Sequence, residues 1–143
     1  MMKINPIIME RIKTRHTNYI VDFILKYNIT FIAGDSGVGK SAVYSFLREE
    51  SAENNTIKCF NYLDQNKGYK NSIKNSKGKL FVIDNADLLL NDDMSRYIAM
   101  DSNNQYIIIG RNPSGLLLGM DEIFELYSET INGITTFHIK TVF

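Results

Sequence analysis

The chain has 143 residues, of which 44% are hydrophobic, and its 16 lysine and arginine residues balance 16 aspartate and glutamate residues. This length fits one domain over residues 1–143, and zero net charge excludes a global field that draws the protein to nucleic acid or a membrane. A single cysteine, Cys59, excludes an intramolecular disulfide, and no apolar run approaches the roughly 18 residues of a membrane span. We therefore expect a cytoplasmic protein without a signal peptide.

The first predicted element is a strand over residues 19–25. Tyr19, Val21, Phe23 and Leu25 alternate with other residues, and β-branched and aromatic types dominate. Residues 1–16 are only weakly patterned. Residues 26–28 would turn the chain into a second strand over 29–33, so the sequence predicts an N-terminal hairpin.

The most specific motif follows this strand. Eight residues fit the phosphate-binding pattern G-x-x-x-x-G-K-[ST] at every fixed position: Gly34, Asp35, Ser36, Gly37, Val38, Gly39, Lys40 and Ser41. The apolar run 29–33 precedes them, and a helix predicted from Lys40 to about Ser51 follows. Strand, glycine loop and helix are the context in which this pattern binds phosphate.

Each part of the motif has a physical task. Glycines let backbone N–H groups converge on a polyphosphate, and the helix start adds further N–H groups and the positive end of its dipole. Lys40 would reach the outer phosphates, and the Ser41 hydroxyl would bind Mg²⁺. The sequence therefore predicts a site for a nucleoside triphosphate, ATP with Mg²⁺.

Residues 56–62 form the next predicted strand, and a lysine-rich segment comes after it. Residues 65–79 contain five lysines and no acidic residue: Lys67, Lys70, Lys74, Lys77 and Lys79. We interpret this segment as a solvated loop, because Tyr69 is its only aromatic residue. The alternative is a contact with a nucleic-acid backbone or with the acidic face of a partner.

Two later strands end on polar residues. The apolar run 80–83 leads into Asp84, and we expect this carboxylate to hold Mg²⁺ directly or through water. A short helix capped by Asn91 or Asp92 comes next. The strand 105–110 is followed by Arg111 and Asn112.

Two C-terminal strands, over 124–128 and 135–142, are separated by a predicted turn at residues 131–134. Strands that alternate with helices predict an α/β fold with a mostly parallel sheet and helices on both faces. This fold leaves room for antiparallel hairpins at both termini. In such a sheet a ligand binds beyond the carboxyl ends of the strands. The phosphate loop, Asp84 and Arg111–Asn112 would all lie there.

Residues 29–112 resemble a P-loop NTPase of the branch that has an extra strand between the Walker A and Walker B strands, which includes the AAA+ proteins. The overall layout is also similar to that of small bacterial ATP-binding proteins of mobile elements. That second similarity is carried by the entry segment, the phosphate loop, the two later apolar strands and the segment after them: 23–28, 34–37, 82–84, 106–111 and 123–127. Fewer than thirty residues follow Gly115, so the resemblance is to a core without the AAA+ helical lid.

The resemblance implies roles for further residues. Asp84 corresponds to the Walker B aspartate, Asn112 to a polar sensor of the γ-phosphate, and Arg111 to a charge stabiliser. The usual catalytic glutamate is replaced by Asn85, which cannot accept a proton. Asp87 would substitute as the base, or it is simply a turn residue.

These residues are compatible with three functions. The first is ATP binding with slow or partner-stimulated hydrolysis. The second is a small-molecule or nucleotide kinase, since residues 35–41 are also similar to the loop of guanylate-type kinases. The third is a nucleotide-gated binding module without turnover. Without a lid, full activity would need a second copy of the chain or another protein, with Arg96 as a finger supplied in trans or as a solvated helix residue.

Overall fold

The computed structural model describes residues 5–34, 39–64, 68–113 and 115–142. About 36% of the chain is in strands and 29% in helices. The described residues form eight strands: β1 (Arg11–His16), β2 (Tyr19–Ile24), β3 (Ile29–Ala33), β4 (Ile57–Phe60), β5 (Leu80–Ile83), β6 (Gln105–Ile109), β7 (Ile123–Ile131) and β8 (Ile134–Thr141). They also form four α-helices: α1 (Lys40–Ser51), α2 (Tyr69–Asn75), α3 (Ala86–Leu89) and α4 (Asp92–Met100). Single 3₁₀ turns lie at Tyr62–Asp64 and Met120–Glu122.

All eight strands belong to one mixed sheet in the order β1-β2-β8-β7-β3-β6-β5-β4. The pairs β1–β2 and β7–β8 are antiparallel, whereas β2–β8, β7–β3, β3–β6, β6–β5 and β5–β4 are parallel. The sheet is curled into a half-barrel. The two hairpins therefore lie next to each other and form one edge of the sheet.

The predicted fold class, a mostly parallel sheet with helices on both faces, is wrong. Half of the strands belong to antiparallel hairpins, the mixed sheet curls into a half-barrel, and only its central strands are covered by helices on both sides. The physical reason lies in the turns. Thr17 between β1 and β2, and Asn132 and Gly133 between β7 and β8, have φ of 57°, 51° and 78°. These left-handed conformations reverse the chain tightly and favour local antiparallel pairing.

The N-terminal hairpin was assigned to the wrong pair of strands. The segment predicted as a strand over 19–25 does form β2, but β2 pairs with β1 and β8 and not with β3. The missing partner was β1, in the weakly patterned first 16 residues. The C-terminal hairpin predicted around residues 131–134 is confirmed.

The hydrophobic core lies on both sides of the central strands. On one side α1 and both hairpins pack against β3, β5 and β6, with Val21, Phe23, Leu47 and Ile107 almost fully buried. On the other side α2, α3 and α4 cover the same strands through Phe31, Ile73, Phe81 and Ile98. None of the helices among the described residues is long and apolar enough to cross a membrane.

The prediction that the lysine-rich segment is a solvated loop is wrong over residues 69–75, which form a helix. Residues 65–67 lie outside the described part, but α2 begins at Tyr69, directly after Gly68 with φ 72°. Tyr69 and Ile73 are buried, and the Tyr69 hydroxyl donates to the Leu89 carbonyl at 2.8 Å. These two apolar residues, four positions apart, hold α2 on the sheet while the lysines of the helix stay exposed.

Candidate functional site

A cavity of about 680 Å³ lies where α1 begins and β5 and β6 end. Its walls come from four segments of the chain: Gly39–Ala42 at the start of α1, Asp84 and Asn85 after β5, Asp87 and Leu88 on α3, and Ile109–Arg111 at the end of β6. Parallel strands place their carboxyl ends at the same edge of a sheet, which is why segments distant in sequence meet here.

The start of α1 forms one wall of the cavity. Gly39 has φ 99°, and Lys40 is the first helical residue. The N–H groups of the first turn have no acceptor within a helix, and the first turn of α1 contains no acidic side chain. This helix start therefore offers backbone donors and the positive dipole end. The predicted binding residues Asp35, Ser36, Gly37 and Val38 lie outside the described residues.

Gly39 also rests against the C-terminal hairpin. A Cβ atom placed at this position would lie 2.9 Å from Cε1 of Phe137 and 3.4 Å from Cδ2 of Leu126. The positive φ and this close approach both require glycine. Phe137 and Leu126 of the hairpin therefore pack directly against the start of α1.

Lys40 and Asp84 interact across the cavity. The Lys40 ammonium donates to the Gly34 carbonyl. Burial raises the pKa of the Asp84 carboxyl, while the Asn85 N–H, 2.9 Å from Oδ1, and the charge of Lys40 partly offset that rise. A cation placed next to such a buried carboxylate would stabilise its ionised form.

Asn85 and Asp87 follow Asp84 and differ in what they contact. Asn85 is exposed in the cavity wall, with φ 51°. Asp87 uses both carboxylate oxygens as acceptors: Oδ2 accepts from Arg111 N at 2.8 Å, and Oδ1 from Asn112 N at 3.2 Å. The carboxylate predicted as a substitute base is therefore already hydrogen-bonded to the loop after β6.

The structure brings together most of those predicted residues that it describes. Lys40, Ser41, Asp84, Asp87 and Arg111 line the same cavity as Gly39. The predicted sensor Asn112 is not in its wall. It lines an adjoining space of about 210 Å³, together with Asp87 and the start of α4.

Four lining residues were missed at the sequence level: Ala42, Leu88, Ile109 and Gly110. Gly110 could have been found, since it directly follows the apolar run of β6. Leu88 gave no such signal, because an apolar residue in a short helix normally faces the core, whereas Leu88 is 64% exposed.

Arg96, the predicted finger, lies on α4 outside this cavity. It borders a separate open groove together with Lys74 and Tyr97. Arg96 is exposed on α4. The finger role in trans stays a prediction, and the alternative of a solvated helix residue stays open.

The cavity is lined by a cation, a hydroxyl and a carboxylate, from Lys40, Ser41 and Asp84. Among the described residues no group of three histidine, cysteine or acidic side chains could bind a metal on its own. Mg²⁺ at a phosphate commonly takes only one or two protein ligands, which here would be Ser41 and Asp84, with phosphate and water completing the shell. Comparisons of the chain with protein-family models, with curated proteins and with solved structures found no match.

Proposed function

We propose that this protein binds a nucleoside triphosphate, ATP, with Mg²⁺ in the cavity at the start of α1, and hydrolyses it slowly or only when a partner stimulates it. The proposal is carried by one observation: Lys40, Ser41 and Asp84 line a single cavity next to the N-terminus of a helix. These groups supply a cation for the outer phosphates, a hydroxyl ligand and a carboxylate for Mg²⁺.

The strand arrangement around the cavity supports the same proposal. Strand β6 lies between β3, which leads into the glycine loop, and β5, which is directly followed by Asp84. An inserted strand at this place characterises the branch of P-loop NTPases that the sequence resembles. The similarity proposed here concerns this part of the sheet and not the two hairpins.

Slow hydrolysis follows from the carboxylates of the cavity. Among its described lining residues only Asp84 and Asp87 carry carboxylates. Asp84 is assigned to Mg²⁺, and Asp87 already accepts two backbone hydrogen bonds. Asn85 cannot accept a proton, so the attacking water lacks a general base, which typically costs about 10²–10⁴-fold in rate.

The same observation favours a second function, a nucleotide-gated binding module without turnover. In that case the bound triphosphate stabilises one conformation that a protein partner or a second copy of the chain recognises. A partner would also cover Leu88, which lines the cavity and is 64% exposed. We place the protein in the cytoplasm in either case, where ATP and Mg²⁺ are available.

The binding proposal is tested by calorimetry with ATP and Mg²⁺ on the wild type and on Lys40→Ala. We expect the substitution to weaken ATP binding by at least about tenfold, because it removes the cation that faces the phosphates. Lys70→Ala, an exposed lysine on α2, is the matched control and should bind as the wild type does. Equal ATP affinity of wild type and Lys40→Ala contradicts the proposal, and titration with GTP, CTP and UTP tests the choice of ATP.

The two functions are separated by turnover. Phosphate release should be slow in the wild type and should rise in Asn85→Glu, which introduces a carboxylate beside Asp84. A wild type that hydrolyses ATP rapidly contradicts the argument from Asn85. Release that stays at background in both proteins, with ATP bound, favours the module without turnover.

A further inference from the structure

We propose that β1, the strand at one edge of the sheet, docks an extended segment of a partner protein that carries acidic residues at alternate positions. The segment adds a further strand to the sheet beside β1. This docking surface is separate from the cavity, since none of the described residues that line the cavity belongs to β1. The inference therefore does not depend on the proposed nucleotide binding.

The first step is the backbone of β1. This strand comes first in the sheet order, and among the described residues it pairs with β2 alone. All six residues, Arg11–His16, are in continuous register with β2. The outward N–H and C=O groups of a regular edge strand can receive another strand. The strand at the opposite edge, β4, has only four residues and offers a shorter template.

The second step is the charge of the exposed side chains. Three side chains of β1 are exposed, and all three are cationic: Arg11, Lys13 and Arg15. They alternate with buried residues, so they share one face of the strand and repeat every 6.7 Å or so, at about 3.3–3.4 Å per residue. Arg11 forms an ion pair with Asp22 of β2 at 2.7 Å, and Asp22 is the one acidic residue in the sequences of β1 and β2. This face of the two strands therefore keeps a net positive charge.

The third step is the support on the buried face of β1. The His16 ring lies with Nε2 2.7 Å from Thr14 Oγ1 and with Nδ1 2.9 Å from Oε1 of Glu49 on α1. The same ring stacks on Phe46 of α1, with the ring centroids 4.9 Å apart. These contacts hold β1 extended against α1 before any partner binds, which lowers the entropic cost of docking.

The charges also decide which partner fits the edge. A second copy of β1 would place like charges opposite one another, which destabilises a strand pair. Acidic residues at alternate positions of an extended segment would instead repeat at the spacing of the cations and face them. Nowhere in residues 1–143 are two acidic residues separated by a single residue, so no segment of a second copy carries this pattern.

A nucleic-acid strand is a poorer match than an acidic peptide. Binding of single strands combines cations with aromatic side chains on which the bases stack. The exposed side chains of β1 include no aromatic residue. The surface therefore offers backbone groups and charges, which are the features that an added peptide strand uses.

The experiment measures the binding of fluorescently labelled, capped peptides to the full chain by anisotropy. The test peptide has three glutamates at alternate positions, with threonine and valine between them. One control peptide has the same composition with the glutamates adjacent. We expect the alternating peptide to bind at least about tenfold more tightly than this control, because it alone presents its charges in register with the cations.

Two further peptides test the main-chain hydrogen bonds. Each keeps the alternating glutamates and carries N-methyl groups on one of the two alternate sets of backbone amides. Only one set of amides in an added strand faces its neighbour, so one of these peptides should lose binding and the other should retain it. Amide hydrogen exchange in residues 11–16 should slow when the alternating peptide is bound.

Protein variants locate the surface. Lys13→Glu combined with Arg15→Glu should weaken binding of the alternating peptide by about tenfold. The same variant should bind a peptide with lysines in place of the glutamates more tightly than the wild type does, which a misfolded protein would not. Lys58→Glu combined with Lys70→Glu makes the same change in net charge at exposed lysines outside β1, and should bind as the wild type does.

Each contrary result overturns the inference. Equal binding of the alternating and the adjacent peptide, or of the two N-methylated peptides, would mean that charge alone attracts them. Tighter binding of single-stranded oligothymidine, lost when Lys13 and Arg15 are replaced by glutamate, would assign the surface to nucleic acid. If no probe binds at millimolar concentration, the cations serve only to keep this edge unpaired. A failure of ATP binding at the cavity would overturn the proposed function and leave this inference standing.

Discussion

The central strands and the hairpin strands of this sheet are built on different patterns of burial. Strands β3, β5 and β6 are buried at nearly every position, whereas β1 alternates between exposed and buried residues and β7 is exposed over its second half. Continuous burial is typical of parallel strands covered on both faces, and alternation is typical of strands covered on one. Among the described residues that line the cavity, none belongs to a hairpin, and those contributed by the sheet lie at or after the ends of β5 and β6. The C-terminal hairpin packs against the start of α1, but none of its residues is among the described residues that line the cavity.

The comparison predicts that the free energy of unfolding depends far more on the central strands than on the end of the hairpin. Ile108 in β6 is fully buried, and Ile131 at the end of β7 is 63% exposed. Ile108→Ala should lower the free energy of unfolding by about 2–5 kcal/mol, because it removes buried methyl groups and leaves a cavity. Ile131→Ala should change it by less than about 0.5 kcal/mol. Urea unfolding measures both, and equal losses would show that the hairpin end is as well packed as β6.

A second prediction concerns Gly39, where the C-terminal hairpin contacts the start of α1. Gly39→Ala should lower the free energy of unfolding by about 1–3 kcal/mol, since φ is 99° and the new methyl group would meet Phe137. Phe137→Leu should recover part of that loss by making room, which a double-mutant cycle detects as a coupling energy. Strictly additive effects of the two substitutions would show that Gly39 and the hairpin are independent.

The smallest expected effect concerns Asp84, at the end of a central strand. Burial holds the folded-state pKa of Asp84 above its ordinary value of 3.8, so the folded protein binds a proton more tightly than the unfolded chain does. The ionised carboxylate therefore destabilises the fold, by an amount that grows as the pH rises from 3.8 through the folded-state pKa and is then constant.

Asp84→Asn removes this cost and should raise the melting temperature at pH 7 without ligand. The melting temperatures of the two proteins should approach each other below pH 3.8, where both side chains are neutral. Thermal unfolding from pH 3 to pH 8 measures the difference, with Asp93→Asn as an exposed control. A variant that melts below the wild type at pH 7 would mean that the Lys40 charge outweighs burial.

Local sequence determined the elements on which the site is built. The run 29–33 forms β3, the helix predicted from Lys40 to about Ser51 forms over those residues, and Asp84 directly follows β5. Asn91, one of the two residues predicted as the cap, caps α4 by accepting a hydrogen bond from Met94 N at 2.9 Å. These features could be predicted because apolar runs, glycines and capping side chains act within a few residues. The roles assigned to the phosphate-loop residues and to Asp84 stay predictions.

Only the tertiary structure decided which strands pair and which polar groups meet. The alternation in β2 identified a strand but could not say that its neighbours are β1 and β8, because the period of a strand does not specify its partner. The contact between Asp87 and the amides of Arg111 and Asn112 likewise has no local signal. It arises because α3 and the loop after β6 follow adjacent parallel strands and so emerge at the same edge of the sheet.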